Sequence, residues 1–213
     1  FVGPDAPTSC GNNRALFKEE VCQKLSIPKN KVLLLAVGMM REGAKFESYK
    51  MLGKALGRLG TQKTWNLIVA GDGIRRKEIE KFFGSETRFV GELTEHQLFK
   101  YYCAADLFVW PAIQEAYGMA LLEAQWLGLP AVVGNNGGVS DILNDQVTGF
   151  LAAPGDLPDF TAKLATLIED IGCREQMRVA ATQITRSEHS FEIAAKKMDL
   201  LIKNSLNNYR VRT

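Results

Sequence analysis

The chain has 213 residues, 46% of them hydrophobic, which suffices for one full core rather than a string of domains. Its 26 basic and 24 acidic residues leave a net charge of +2, too balanced for nucleic acid or an anionic membrane to be the main partner. No apolar run approaches the roughly 20 residues of a membrane-spanning helix, and the sequence reads as carrying no secretory signal. The four cysteines (Cys10, Cys22, Cys103 and Cys173) show no close pairing and fit neither a zinc ribbon nor a small disulfide scaffold. Free thiols in a reducing, cytoplasmic compartment are therefore expected. With His96 and His189 as the only histidines, no histidine-based metal site is expected.

Residues 1–13 are rich in Gly, Pro, Ser and Asn and read as a linker. Helical spacing of Leu16, Val21 and Leu25 predicts a helix over 13–25, stopped by Pro28. The apolar run Val32 to Val37 has the length of a buried strand. A loop, Gly38 to Lys45, leads into a helix that Gly60 closes. The second strand, Trp65 to Ala70, ends at Gly71-Asp72-Gly73. A charged helix to about Phe83 and a short strand, Arg88 to Val90, follow. Thr94 and Gln97 form a capping-box pattern for a helix to Ala104, with His96 on its surface. Leu107 to Trp110 is the fourth strand, Ala131 to Val133 the fifth and Thr148 to Ala152 the sixth. Beyond Pro158 the periodicity is helical: 160–171, 174–184 and 191–206.

Strands alternating with helices predict a doubly wound, Rossmann-like α/β fold with a parallel sheet and a helical C-terminal tail. Six strands suggest the order 3-2-1-4-5-6, which sets the loop after strand 1 opposite the loop after strand 4. Between Pro111 and Pro130 a helix is expected from about Gly118 to Leu127. Within 119–127 only Glu123 and Gln125 are polar, so the helix is mostly covered and the Glu123 carboxylate needs hydrogen-bond donors. Glu115 lies just before it. Two carboxylates thus flank a helix N-terminus that itself favours an anion. That combination suits a nucleotide sugar, with its diphosphate between two sets of hydroxyls. A plainer reading has Glu115 complement the helix dipole and Glu123 pair with a nearby cation.

The run Glu115-Ala-Tyr-Gly-Met-Ala-Leu-Leu-Glu123-Ala resembles the glutamate–seven residues–glutamate motif of retaining GT-B glycosyltransferases, the family 4 or group 1 type. The surrounding order is similar too: Val69-Ala-Gly-Asp-Gly, Arg88-Phe-Val-Gly-Glu-Leu, Ala105-Asp-Leu-Phe-Val, Gly137-Gly-Val, then Thr148-Gly-Phe-Leu. The resemblance covers residues 14–172 and only the C-terminal, donor-binding domain of such enzymes. It implies 1–13 as linker, 14–186 as nucleotide-sugar-binding domain and 187–213 as C-terminal helix. The chain begins at Phe1 and reads as a fragment or processed product, with the N-terminal acceptor-binding domain absent.

What the resemblance implies is the donor half of a retaining, metal-independent transferase. Such an enzyme moves a hexose from a nucleoside-diphosphate sugar, such as UDP or GDP, to a glycan or lipid-linked acceptor. No separate cofactor is implied, and membrane contact would come only through the missing half. Glu123 would hold ribose, Gly118, Met119 and Ala120 would meet the diphosphate through backbone N–H groups, and Glu115 would contact the sugar. Arg41 and Lys45 would neutralise the departing diphosphate. The family pattern there is Val-Gly-Arg followed by Lys-Gly; here Met39 follows Gly38, Arg41 comes two positions later and Phe46 follows Lys45. Plain loop cations are the other reading. Leu93 falls where the family packs the base, or is a core leucine. Gly137 and Gly138 either approach the sugar or merely form a turn. The chain alone is expected to bind donor without transferring sugar. A non-catalytic nucleotide-sugar-binding module stays open, as does a dehydrogenase domain, although strand 1 lacks the Gly-x-Gly-x-x-Gly turn.

Overall fold

A computed structural model describes residues 9–60 and 63–212. Its centre is one six-stranded sheet: β1 (Val32–Val37), β2 (Trp65–Ala70), β3 (Thr87–Gly91), β4 (Leu107–Trp110), β5 (Ala131–Gly134) and β6 (Gly149–Ala152). The order is β3-β2-β1-β4-β5-β6, and every pairing is parallel. Consecutive residues Leu33, Leu34, Leu35 and Ala36 are all fully buried, so both faces of β1 are covered. This is why the inner strands read as unbroken apolar runs instead of alternating ones.

The helices are α1 (Arg14–Leu25), α2 (Ala44–Arg58), α3 (Arg76–Glu80), α4 (Glu95–Ala104), α5 (Met119–Trp126), α6 (Leu157–Glu169), α7 (Ile171–His189) and α8 (Phe191–Arg212). Helix α1 packs on α4, α2 on α6, and α5 on α7. The capping box at Thr94 forms in full, with Gln97 N–H bonded to the Thr94 hydroxyl and the Gln97 side chain returning to the Thr94 N–H. Asp156 caps α6 and Pro158 stands in its first turn, where a missing N–H costs nothing, so this helix begins earlier than the periodicity suggests. The last helix starts at Phe191, where the periodicity places it, and runs on to Arg212.

Two sequence expectations change at the N-terminal side. The first eight residues of the expected linker lie outside the described residues, but Cys10 is buried and Gly11–Asn13 forms a 3₁₀ turn against the body of the fold. Cys10 and Cys103 form a disulfide, so the four cysteines are not all free; Cys22 and Cys173 remain thiols. The cause is the packing of α1 against α4, which brings together residues 93 positions apart in sequence. Cysteine usage therefore no longer argues for a reducing compartment. The half-buried Arg14 guanidinium reinforces the junction, donating to the carbonyls of Cys103 (3.0 Å), Ala105 (3.2 Å) and Leu127 (2.8 Å). Burial, with Arg178 nearby, pushes its pKa down to about 10.

Candidate functional site

The strand order reverses between β1 and β4, and a crevice opens there at the carboxyl ends of the strands. It holds a cavity of about 530 Å³, within the usual range for a small-molecule site. Its floor comes from the ends of four inner strands, at Val37, Ala70, Phe108 and Val133. Strands β1 and β2 come so close beyond their ends that a Cβ on Gly71 would lie 2.0 Å from the Gly38 carbonyl oxygen. Only glycine fits that crossing, and its φ of 135° suits no other residue.

Residues 115–118 form the opposite wall, at the end of a turn that starts at Pro111. Ala112 (φ 53°) and Gln114 (φ 48°) both adopt left-handed conformations that non-glycine residues seldom take. Ser48 of α2 pins this turn, its hydroxyl accepting the Ile113 N–H at 3.0 Å. The turn delivers Glu115 into the cavity. One oxygen of Glu115 accepts from Lys45 Nζ at 2.6 Å and from the Trp110 indole N–H at 3.2 Å. Lys45 also lies 5.2 Å from the Trp110 ring centroid. Tyr49 crosses Trp110 edge-on at 5.0 Å and donates to the Gly38 carbonyl at 2.6 Å. The two loops facing each other are thereby stitched through α2.

Helix α5 begins at Gly118, whose left-handed φ of 97° turns the chain into the helix without a side-chain cap. The first N–H groups of α5 are therefore left for a ligand, and Gly118, Met119 and Ala120 all line the cavity. Leu93 and Leu98 line its far side. Arg41 lines the mouth and makes no hydrogen bond or ion pair with a described residue.

Three of the expected residues stand outside the lining. Glu123 lies one helical turn beyond Met119 and Ala120, half-buried, its Oε2 accepting from the Tyr102 hydroxyl at 2.8 Å. Burial above all, and the nearby Glu95 charge, push its carboxyl above the usual range, while the Tyr102 hydrogen bond pulls the other way. Gly137 and Gly138 are correspondingly not part of the cavity wall. They brace it from behind: Gly138 N–H donates to the Ala116 carbonyl at 2.9 Å, and a Cβ on Gly137 would lie 2.0 Å from the Glu115 carbonyl.

Trp110 and Tyr102 were not singled out from sequence. Tyr102 had a signal, because Glu95, Leu98 and Tyr102 share one face of α4 at helical spacing. Trp110 had only its place at the end of the fourth strand. Among the described residues no three His, Cys, Asp or Glu side chains gather as a metal set.

The arrangement offers a helix N-terminus with two cations opposite, and a carboxylate on either side of it. Backbone N–H groups and cations bind phosphate; carboxylates bind hydroxyls. The chain resembles several known proteins. A sulfoquinovosyl transferase of Arabidopsis thaliana is 36% identical over 156 residues, spanning 65% of this chain and 31% of that protein. A D-inositol 3-phosphate glycosyltransferase of Kribbella flavida is 37% identical over 97 residues, 46% of this chain and 23% of that protein. Among solved structures, Anabaena HepE in complex with UDP and glucose superposes with a TM-score of 0.75 at 18% identity. That match covers 93% of this chain and 53% of HepE, so the chain spans about a quarter to a half of these relatives' length. The profile of the family described as glycosyl transferases group 1 matches residues 31–170, and the chain belongs to that family.

Proposed function

We propose that this chain is the donor-binding half of a retaining hexosyltransferase that acts without a metal ion on a UDP-sugar. The observation that carries the reading is Glu115, held by Lys45 and Trp110 beside the uncapped start of α5. A UDP-sugar laid along the crevice would place uracil near Leu93 and its ribose at the Glu123 end. Its diphosphate would meet the N–H groups of 118–120, and its sugar Glu115. Arg41 and Lys45 supply the positive charge that a departing diphosphate needs, which supports independence from metal. The UDP and glucose of the HepE complex support the choice of nucleotide and of a hexose. The acceptor, a glycan or a lipid-linked saccharide, would be presented by the remaining part of the longer protein. Donor departure and attack on the same face then require no general base from this chain. Membership of the family replaces the dehydrogenase reading.

Calorimetric titration with UDP and UDP-glucose tests this. Glu123→Gln should weaken both ligands by roughly 1–3 kcal/mol, because every such nucleotide carries the ribose. Glu115→Gln should spare UDP and weaken only the conjugate. Equal loss of UDP affinity in the two variants would overturn the assignment of roles. EDTA should leave UDP binding unchanged; a large loss restored by Mg²⁺ would refute metal independence. The chain alone should transfer no sugar to any acceptor.

A further inference from the structure

Glu123 is an awkward residue for its surroundings. It sits on a mostly apolar helix, and Gln125, the other polar side chain of α5, donates instead to the carbonyls of Leu129 and Thr148. Its one described hydrogen bond comes from α4, from Tyr102, whose side chain is almost wholly buried. The Tyr102 hydroxyl lies 2.8 Å from Glu123 Oε2 and 3.2 Å from the Ala120 carbonyl. It has one proton to give, and the closer, charged acceptor takes it. Oε2 is thus occupied, and Oε1 has no hydrogen-bond partner among the described residues. Ala120, whose carbonyl shares the hydroxyl, is one of the residues lining the cavity.

Among the described residues, Tyr102 and Glu95, both on α4, face Glu123 electrostatically. They act in opposite senses. The tyrosine hydroxyl stabilises the carboxylate by donating to it, whereas the Glu95 charge destabilises it. Burial and the neighbouring Glu123 push the Tyr102 hydroxyl well above its ordinary pKa, so it remains a donor across the accessible range.

We propose that Tyr102 is a positioning residue for donor binding: it fixes one oxygen of Glu123 and leaves the other for a vicinal diol, with Glu95 working against it. Together the two α4 residues set how acidic the medium can become before Glu123 is protonated and loses its grip on the diol. This rests on the assignment of Glu123 to ribose. A carboxylate accepts two hydroxyl protons from a diol; a carboxylic acid must spend one oxygen as a donor. Donor affinity should therefore fall as pH drops through the Glu123 pKa, which stands above the usual carboxylate range.

The test is UDP affinity by calorimetry, from mildly acidic to mildly alkaline pH, for the parent chain and for Tyr102→Phe, Glu95→Gln and Glu123→Gln. Titration of the terminal phosphate of UDP is common to all four and cancels in the comparison. Tyr102→Phe should move the acid limb of the affinity profile to higher pH, with binding roughly tenfold weaker on that limb. Glu95→Gln, a change on an exposed residue, should move the limb to lower pH and tighten binding there. Glu123→Gln should abolish the limb. A Tyr102→Phe profile that drops evenly at every pH would reduce Tyr102 to a packing residue and overturn the proposal. So would limbs that shift in the same direction in Tyr102→Phe and Glu95→Gln. If Glu123→Gln leaves UDP affinity untouched at every pH, the ribose assignment itself falls, a failure distinct from the other two.

Discussion

The two acidic residues that flank the start of α5 carry opposite energetic signs. Glu115 is compensated: Lys45 and the Trp110 indole both donate to it, and both members of the ion pair are mostly buried. Lys45→Gln should lower stability by about 1–3 kcal/mol, less than a fully buried pair because water still reaches both groups. It should weaken UDP-glucose binding as well, so denaturant melts and titrations fall together. Glu123 is under-compensated. Its raised pKa means the folded state favours the protonated form, so folded stability declines as pH rises from the ordinary carboxylate range through that pKa. Glu123→Gln removes the burden. Its melting temperature should match the parent in acid, exceed it increasingly across that window, and keep a constant margin above it. A melting temperature lower than the parent's at neutral pH would refute this. Stability gained with affinity lost is what a residue kept for binding should show. The spacing of the two glutamates was legible in sequence, because a helix start between them is announced by glycine and proline. What separates them energetically was not, since it depends on Lys45, Trp110 and Tyr102 arriving from elements remote in sequence.

At the scale of elements, the sheet order and all six strands were readable because strands buried on both faces leave unbroken apolar runs between glycines. Edges were less so: β3 is only half-buried along its length, and its ends extend past the apolar pair that betrays it. Glycines at crossings hold the crevice open. Gly134 ends β5, and a Cβ there would lie 1.9 Å from the Pro111 carbonyl oxygen, with no flexible side chain to yield. Gly134→Ala should cost roughly 1–3 kcal/mol by overpacking and displace the turn that carries Glu115. Calorimetry should then show UDP-glucose weakened more than UDP. Equal affinities for the two proteins would mean that the turn adapts without moving Glu115. Sequence marked Gly137 and Gly138 as of interest but not which surface they serve, because close backbone approach has no pattern of its own.

For the whole molecule, the Cys10–Cys103 disulfide closes a loop spanning 93 positions and enclosing β1, β2 and β3. In the chain-entropy account a loop of this size stabilises by about 4–5 kcal/mol, chiefly by restricting the unfolded chain. Reduction, or the paired change Cys10→Ser and Cys103→Ser, should lower the melting temperature by several degrees. An unchanged melting temperature under reducing conditions would contradict that contribution. No sequence signal joins these cysteines, because their meeting follows from how α1 lies on α4. The same junction has a mechanical consequence. Cys10 is bonded to the last turn of α4, and Arg14 holds the carbonyls at the ends of both α4 and α5. Tension on the chain preceding Cys10 therefore enters the molecule at those two helix ends and bypasses the length of α1. One of those helices carries Tyr102 and the other Glu123, so the load path runs through the two elements whose relative position sets their 2.8 Å contact.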